Sequence, residues 1–202
     1  MKKNKIFSIQ NNKKNQLLKN LILAQNHLGF PIQKTVSNSL NYLYNKRLDH
    51  TIINLNQTIK SLQRVFLFIK RQYMRTKLKY NSILFIFEIP KIDIYFLSFF
   101  SDSFLYETQK KHKGFITNSN YENLPELIII LNSKVNNTLI NEAALANIPV
   151  ISLLDTNADP NLVTFPILTN KQNVKSIFFI LYLFMEFFHK NNMYPTNAIT
   201  KN

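Results

Sequence analysis

An α/β fold built on a parallel sheet is what this sequence predicts, and three observations carry it. Ile148 to Leu154 is an apolar, β-branched run that closes in Asp155-Thr156-Asn157-Ala158-Asp159-Pro160, the pattern of a buried strand ending in a tight turn. A helical pattern from Thr138 to Asn147 precedes it, so the unit is helix, strand, turn, the repeating piece of a parallel sheet. Ile83 to Ile89 is a second continuous apolar run. The loop leaving the carboxyl end of such a strand is where an α/β enzyme holds its ligand, which makes the Asp155–Pro160 turn the first place to look for chemistry.

Taken in order, Leu17, Leu18, Leu21, Ile22, Gln25 and Leu28 mark a short amphipathic helix from about Lys13 to Leu28, stopped by Gly29 and Pro31. Ile32 to Asn45 reads as irregular, and Thr51-Ile52-Ile53 as a short extended piece. A long helix opens at Asn54 or Asn56 and runs to about Lys79, because Leu55, Ile59, Leu62, Phe66, Ile69 and Tyr73 fall at steps of four and three. Pro90 ends the strand at Ile83–Ile89 and starts a helix over Lys91–Phe100. Short strands are expected at Phe104–Tyr106, Leu127–Leu131 and Phe165–Leu168, and a helix at Leu139–Ala146. The last helix spans about Lys171 to Lys190; its core, Ser176 to Phe188, is apolar almost all round and is expected to be covered on both sides. That core is too short to cross a bilayer, and Asn191 to Asn202 reads as a tail. The expected organisation is a basic region over 1–79, an α/β core over 80–190 and a tail over 191–202.

Charge divides the chain at the same place. The net charge is +14; residues 1–79 hold 16 Lys or Arg against one acid, Asp49, whereas residues 80–202 hold 9 against 10. A polycationic segment on a near-neutral domain implies a polyanionic partner, nucleic acid or an anionic membrane surface. Off the apolar stripe of the long helix lie Lys60, Arg64, Lys70, Arg71, Arg75, Lys77 and Lys79; the helix dipole favours cations at a C-terminus, which accounts for two or three of them. Asn, Lys, Ile, Leu and Phe crowd the sequence, the residues of A- and T-rich codons, which points to an AT-rich genome, such as that of an organelle, and concerns mutation pressure, not function. Met1 to Asn12 is basic but leads into no apolar core with a cleavage site, so no secretory signal is expected.

The usual catalytic signatures are missing. Only Gly29 and Gly114 exist, so neither glycine-rich phosphate cradle can be written. There is no cysteine and no G-x-S-x-G, which removes thiol chemistry and the serine elbow. His27, His50, His112 and His189 have no helix-metal spacing. Glu88, Asp155 and Asp159 are the one plausible carboxylate cluster, and Asp155, Asn157 and Asp159 are better explained as turn residues that bond their own backbone. No catalytic residue, metal or cofactor is expected.

Asn141-Glu142-Ala143-Ala144-Leu145-Ala146-Asn147-Ile148-Pro149-Val150-Ile151, followed by Leu154-Asp155-Thr156-Asn157-Ala158-Asp159-Pro160, resembles the small-subunit ribosomal protein two family of bacteria and organelles, with its E-A-x-x-x-x-I-P-V-I stretch and V-D-T-N-x-D-P turn. His27-Leu28-Gly29 is similar to the family's H-F-G, Ile53-Asn54-Leu55 with Thr58 to I-D-L-x-x-T, Gly114-Phe115-Ile116-Thr117-Asn118 to G-x-L-T-N, Pro125-Glu126-Leu127-Ile128-Ile129 to P-D-L-x-I, and Phe165-Pro166-Ile167 to Y-P-I. Three departures stand out. Around Arg47 and His50 the family's R-N-x-x-H-I-I pattern is spaced differently, with an extra residue before Ile53. Lys110-Lys111-His112-Lys113 replaces the R-W-L-G before the glycine, and only Ser119–Leu124 occupies the place of the long helical hairpin of bacterial members.

The resemblance implies a flavodoxin-like three-layer α/β sandwich with a five-stranded parallel sheet, preceded here by the basic helical N-terminal region, and no enzymatic activity. It implies contact with small-subunit rRNA and neighbouring small-subunit ribosomal proteins; with the codon bias, it places the protein in a mitochondrial small subunit. No small-molecule substrate and no membrane insertion are expected. The residues expected on RNA are Lys46, Arg47, His50, Arg64, Lys70, Arg71, Arg75, Lys110, Lys111 and Lys113, neutralising phosphates and releasing counterions. Tyr42 and Tyr44 stand beside Lys46 and Arg47, where they suit either base stacking or core packing. The rival readings are an α/β nucleotide-binding enzyme and a basic membrane-surface protein.

Overall fold

The computed structural model describes residues 14–76, 83–87, 105–107, 114, 116–117, 124–132 and 137–191. The expected helix over Lys91–Phe100, the basic patch Lys110–Lys113 and the tail from 192 onward lie outside them. Four strands, β4 (Ile83–Phe87), β6 (Leu127–Asn132), β7 (Val150–Leu154) and β8 (Phe165–Leu168), form the body of a parallel sheet. The three-residue β5 (Leu105–Glu107) pairs in parallel on the far side of β4. The strand order is β5-β4-β6-β7-β8.

Continuous apolar runs form these strands because both faces of the sheet are covered. Ile83, Phe85, Leu127, Ile129, Leu131, Ile151, Leu153 and Ile167 point into one core with the helices α2 (Leu55–Thr76) and α4 (Val174–Lys190). Leu84, Ile86, Ile128, Ile130, Val150, Leu154 and Leu168 point into the other, against α3 (Asn137–Leu145). The stripe read from α2 faces the sheet as expected: Leu55, Ile59, Leu62 and Ile69 are buried, and Val65 joins them. Phe66 stacks on Phe187 of α4 at 4.5 Å and meets Phe184 edge-on at 5.2 Å, pairs that add about 0.5–1.5 kcal/mol each beyond their burial.

Two expectations are corrected. The first helix, α1, covers residues 14–23 and stops short of Leu28. Gln25 turns left-handed (φ 60°), Asn26 N–H reaches the Leu21 carbonyl, and the chain leaves as strand β1 (Leu28–Pro31). The segment Ile32–Asn45 is also more regular than its polar composition implied. Short 3-10 turns at Ile32–Lys34 and Ser37–Tyr42 lead into β2 (Leu43–Arg47), which forms with β3 (His50–Ile53) and β1 an antiparallel sheet of order β1-β3-β2.

The final helix departs from its expected two-sided cover. Ile177, Ile180, Leu181, Phe184 and Phe188 are buried, but Val174, Phe178 and Tyr182 are 44–51% exposed one turn apart. Among the described residues no helix is long and apolar enough to cross a membrane.

Candidate nucleic-acid interface

The Asp155–Pro160 turn, where a ligand was first to be sought, is filled by protein. Asp155 is 1% exposed and its two carboxylate oxygens accept from Thr156 N–H (2.7 Å) and Lys171 N–H (3.2 Å). The Thr156 carbonyl accepts from Val36 N–H (3.0 Å) and the Ser39 hydroxyl (2.9 Å), and Thr156 Oγ1 accepts from Phe30 N–H (2.9 Å). Asn38 donates to Asp159 Oδ2 (3.0 Å), whose other oxygen caps the next turn at Asn161 N–H. The loop is thus a socket, and the antiparallel sheet is its plug. Gly29 sits at the contact: a Cβ there would lie 2.4 Å from Thr51 Oγ1 and 2.8 Å from Thr156 Cγ2. Neither Gly29 nor Thr156 was singled out from sequence for this role; the signal was that two matched motifs, His27-Leu28-Gly29 and the turn, share one contact.

Burial raises the Asp155 pKa, opposed by the Thr156 and Lys171 N–H donors and the Lys171 charge. For a carboxyl with a raised folded pKa, the unfolded chain releases its proton more readily. The group's contribution is therefore fully present below the unfolded value of 3.8 and is lost as pH rises through the folded one. The melting temperature of the wild type minus that of Asp155→Asn is expected to shrink as pH rises from 3.5 toward neutrality. A difference that grows with pH means the N–H donors outweigh burial.

The socket holds the basic segment in a fixed place. Lys46, Arg47 and His50 lie on the β2–β3 hairpin and are exposed. Asn54 accepts from Asn56 N–H and starts α2 directly after β3, and Thr58 Oγ1 ties that end to the Leu168 carbonyl of β8 (2.8 Å). On α2, Arg64, Lys70, Arg71 and Arg75 are exposed. At 100° per residue Arg64, Arg71 and Arg75 fall in one row, and exposed Lys60, absent from the expected set, extends it toward the hairpin. Lys70 stands off to one side. The helix rise puts Arg75 about 30 Å from the hairpin end of α2, so the cations of α2 are spread along the outer face of the helix instead of converging on one point.

All four arginines of the chain, Arg47 on the hairpin and Arg64, Arg71 and Arg75 on α2, are exposed. A planar guanidinium fork can bind phosphate oxygens in pairs. Lys110, Lys111 and Lys113 lie outside the described residues, but the chain following them is anchored. Gly114 (φ 87°) and Ile116 give their N–H groups to the two carboxylate oxygens of Glu142 at 2.7 and 3.1 Å. Among the described residues no group of three His, Cys, Asp or Glu side chains is placed to hold a metal.

Comparison with known proteins gives a family for the carboxyl-terminal part. Residues 101–189 match the model of the family described as Ribosomal protein S2. Small ribosomal subunit protein uS2c of Phaeodactylum tricornutum is 47% identical over 60 residues, covering 30% of this chain and 26% of that protein. Small ribosomal subunit protein uS2 of Rickettsia peacockii is 33% identical over 76 residues, 36% of this chain and 26% of the relative. The uS2c protein of Cyanophora paradoxa is 40% identical over 58 residues, 29% and 25% of the two chains. The matched part of this chain thus spans about a quarter of the length of these relatives.

Proposed function

We propose that this chain is a member of the small-subunit ribosomal protein S2 family, whose model matches residues 101–189, and that it is a non-catalytic structural constituent of a mitochondrial small ribosomal subunit, held on rRNA by its exposed cations. The observation that carries the reading is the pairing of a plugged ligand loop with an exposed arginine row. The carboxyl end of β7, where α/β enzymes bind substrates, is occupied by Val36, Ser39 and Phe30. The exposed cations instead lie on the hairpin and along the outer face of α2, an arrangement that suits phosphates of folded RNA.

The flavodoxin-like sandwich is part of this proposal. Counting strands of the parallel sheet in chain order, the second lies outside the first and the remainder follow on the other side, which is the order of that fold. Codon-driven composition supports an organellar source, and the mitochondrion is our choice within it. Neighbouring small-subunit proteins are the natural partners for surfaces not on RNA.

Tagged protein expressed in the source cell is expected to co-sediment with the mitochondrial small subunit in a magnesium-containing gradient, and to leave it when the particle is unfolded with chelator. Sedimentation with another organelle's ribosome overturns the mitochondrial assignment. Recovery in carbonate-resistant membranes overturns the ribosomal one.

A further inference from the structure

We propose that Tyr44 is a stacking platform for an unpaired nucleotide base, so that the β2–β3 hairpin takes single-stranded or looped RNA while the α2 arginines take phosphates. This rests on the RNA-binding reading above and names what the hairpin recognises. Leu43 pairs with Ile53 and Asn45 with Ile52, so two steps along β2 are matched by one along β3. Tyr44 is the extra residue, left outside the ladder by a bulge, a device that bends an edge strand and re-aims a side chain.

The tyrosines near the hairpin are thereby separated. Tyr42 packs against the core beneath the sheet, whereas Tyr44 is 75% exposed. Core packing explains the first and not the second. Lys46, Arg47 and His50, all exposed, lie within six residues of Tyr44 on the same short hairpin, and the Asn45 side chain accepts from Lys46 N–H (2.7 Å) immediately after it.

An exposed aromatic ring on a hairpin that also carries an exposed lysine and arginine suits a base with its phosphate. A base in a duplex is already covered on both faces by its neighbours; an unpaired one has a face to give. A protein partner adding a strand to the β2 edge is disfavoured, because the bulge interrupts the row of donors and acceptors that strand addition requires.

The test uses the full chain. It contains no tryptophan, so Tyr44→Trp introduces a single indole at the platform. With a single-stranded RNA 12-mer the emission of that indole is expected to be quenched, and with the same sequence as a duplex to change little. Tyr44→Leu is expected to weaken single-strand binding about tenfold, the size of one base–aromatic stack, with duplex binding unchanged, while Tyr44→Phe keeps wild-type affinity.

If RNA shifts the protein on a gel but the indole is not quenched and Tyr44→Leu binds as the wild type does, the stacking proposal is overturned and the RNA reading stands. If no RNA binds and the tagged protein also fails to sediment with the subunit, both fall. A blue shift on anionic phosphatidylglycerol vesicles without quenching by RNA overturns the proposal in favour of a membrane surface.

Discussion

Replacing Gly29 by alanine lowers the melting temperature by roughly 10 °C: overpacking against two β-branched threonines costs 1–3 kcal/mol, the strained hydrogen bonds at the contact about 1 kcal/mol each, and a chain of this size loses about 2–4 °C per kcal/mol. The added Cβ meets Thr51 Oγ1 and Thr156 Cγ2 at under 3 Å. Threonine is stiff at χ1, so neither side chain can swing away without giving up its bond. Thr51 donates to the Phe30 carbonyl (2.8 Å), and Thr156 receives Phe30 N–H (2.9 Å). Calorimetry of the purified variant checks it. Pairing the change with Thr156→Ser, which removes the crowding Cγ2 methyl and keeps the hydroxyl that receives Phe30 N–H, should restore part of the loss; an unchanged midpoint for Gly29→Ala would show that the plug and socket are not packed as described.

Changing Arg64, Arg71 and Arg75 together to glutamate has the largest expected effect on binding. If each guanidinium meets a phosphate, the slope of log affinity against log salt falls by about three, one per contact. At moderate salt, affinity for small-subunit rRNA drops on the order of a hundredfold or more. The residues are exposed and face away from the core, so stability should move by no more than about 0.5 kcal/mol per substitution. Filter binding across a salt series reads the slope and the affinity in one experiment. Wild-type values for both would remove the α2 row from the interface.

How much of this was legible in the sequence depends on which physical signal each element carried. The parallel strands announced themselves because burial on both faces demands unbroken apolar runs: Phe165–Leu168 is observed at the residues expected, and Leu127–Leu131 gains one residue. Helix α2 was equally plain, since its one-sided burial writes a 3.6-residue period. The antiparallel sheet was not. Its strand β2 is an edge, exposed along Tyr44–Arg47, so Leu43-Tyr44-Asn45-Lys46-Arg47 has no apolar alternation to read. The turn was recognised as a turn, and Asp159 does cap its own backbone. Its contact with Phe30, Val36 and Ser39 spans more than a hundred residues of chain, and no local pattern encodes a partner so distant. The final helix misled in the opposite direction: Val174, Phe178 and Tyr182 made it look apolar all round, yet they lie on its outer side.

The distance between plug and socket also sets an order of events. Phe30 waits for Thr156, which lies 126 residues later, and Asn26 for Ser176, 150 residues later. During vectorial synthesis at some 5–20 residues per second, the amino-terminal sheet emerges seconds before the loop that seats it. Contacts of such long sequence separation close slowly. The basic hairpin and its sheet are therefore synthesised well before the residues that lock them in place, and their docking waits on the completion of the parallel sheet.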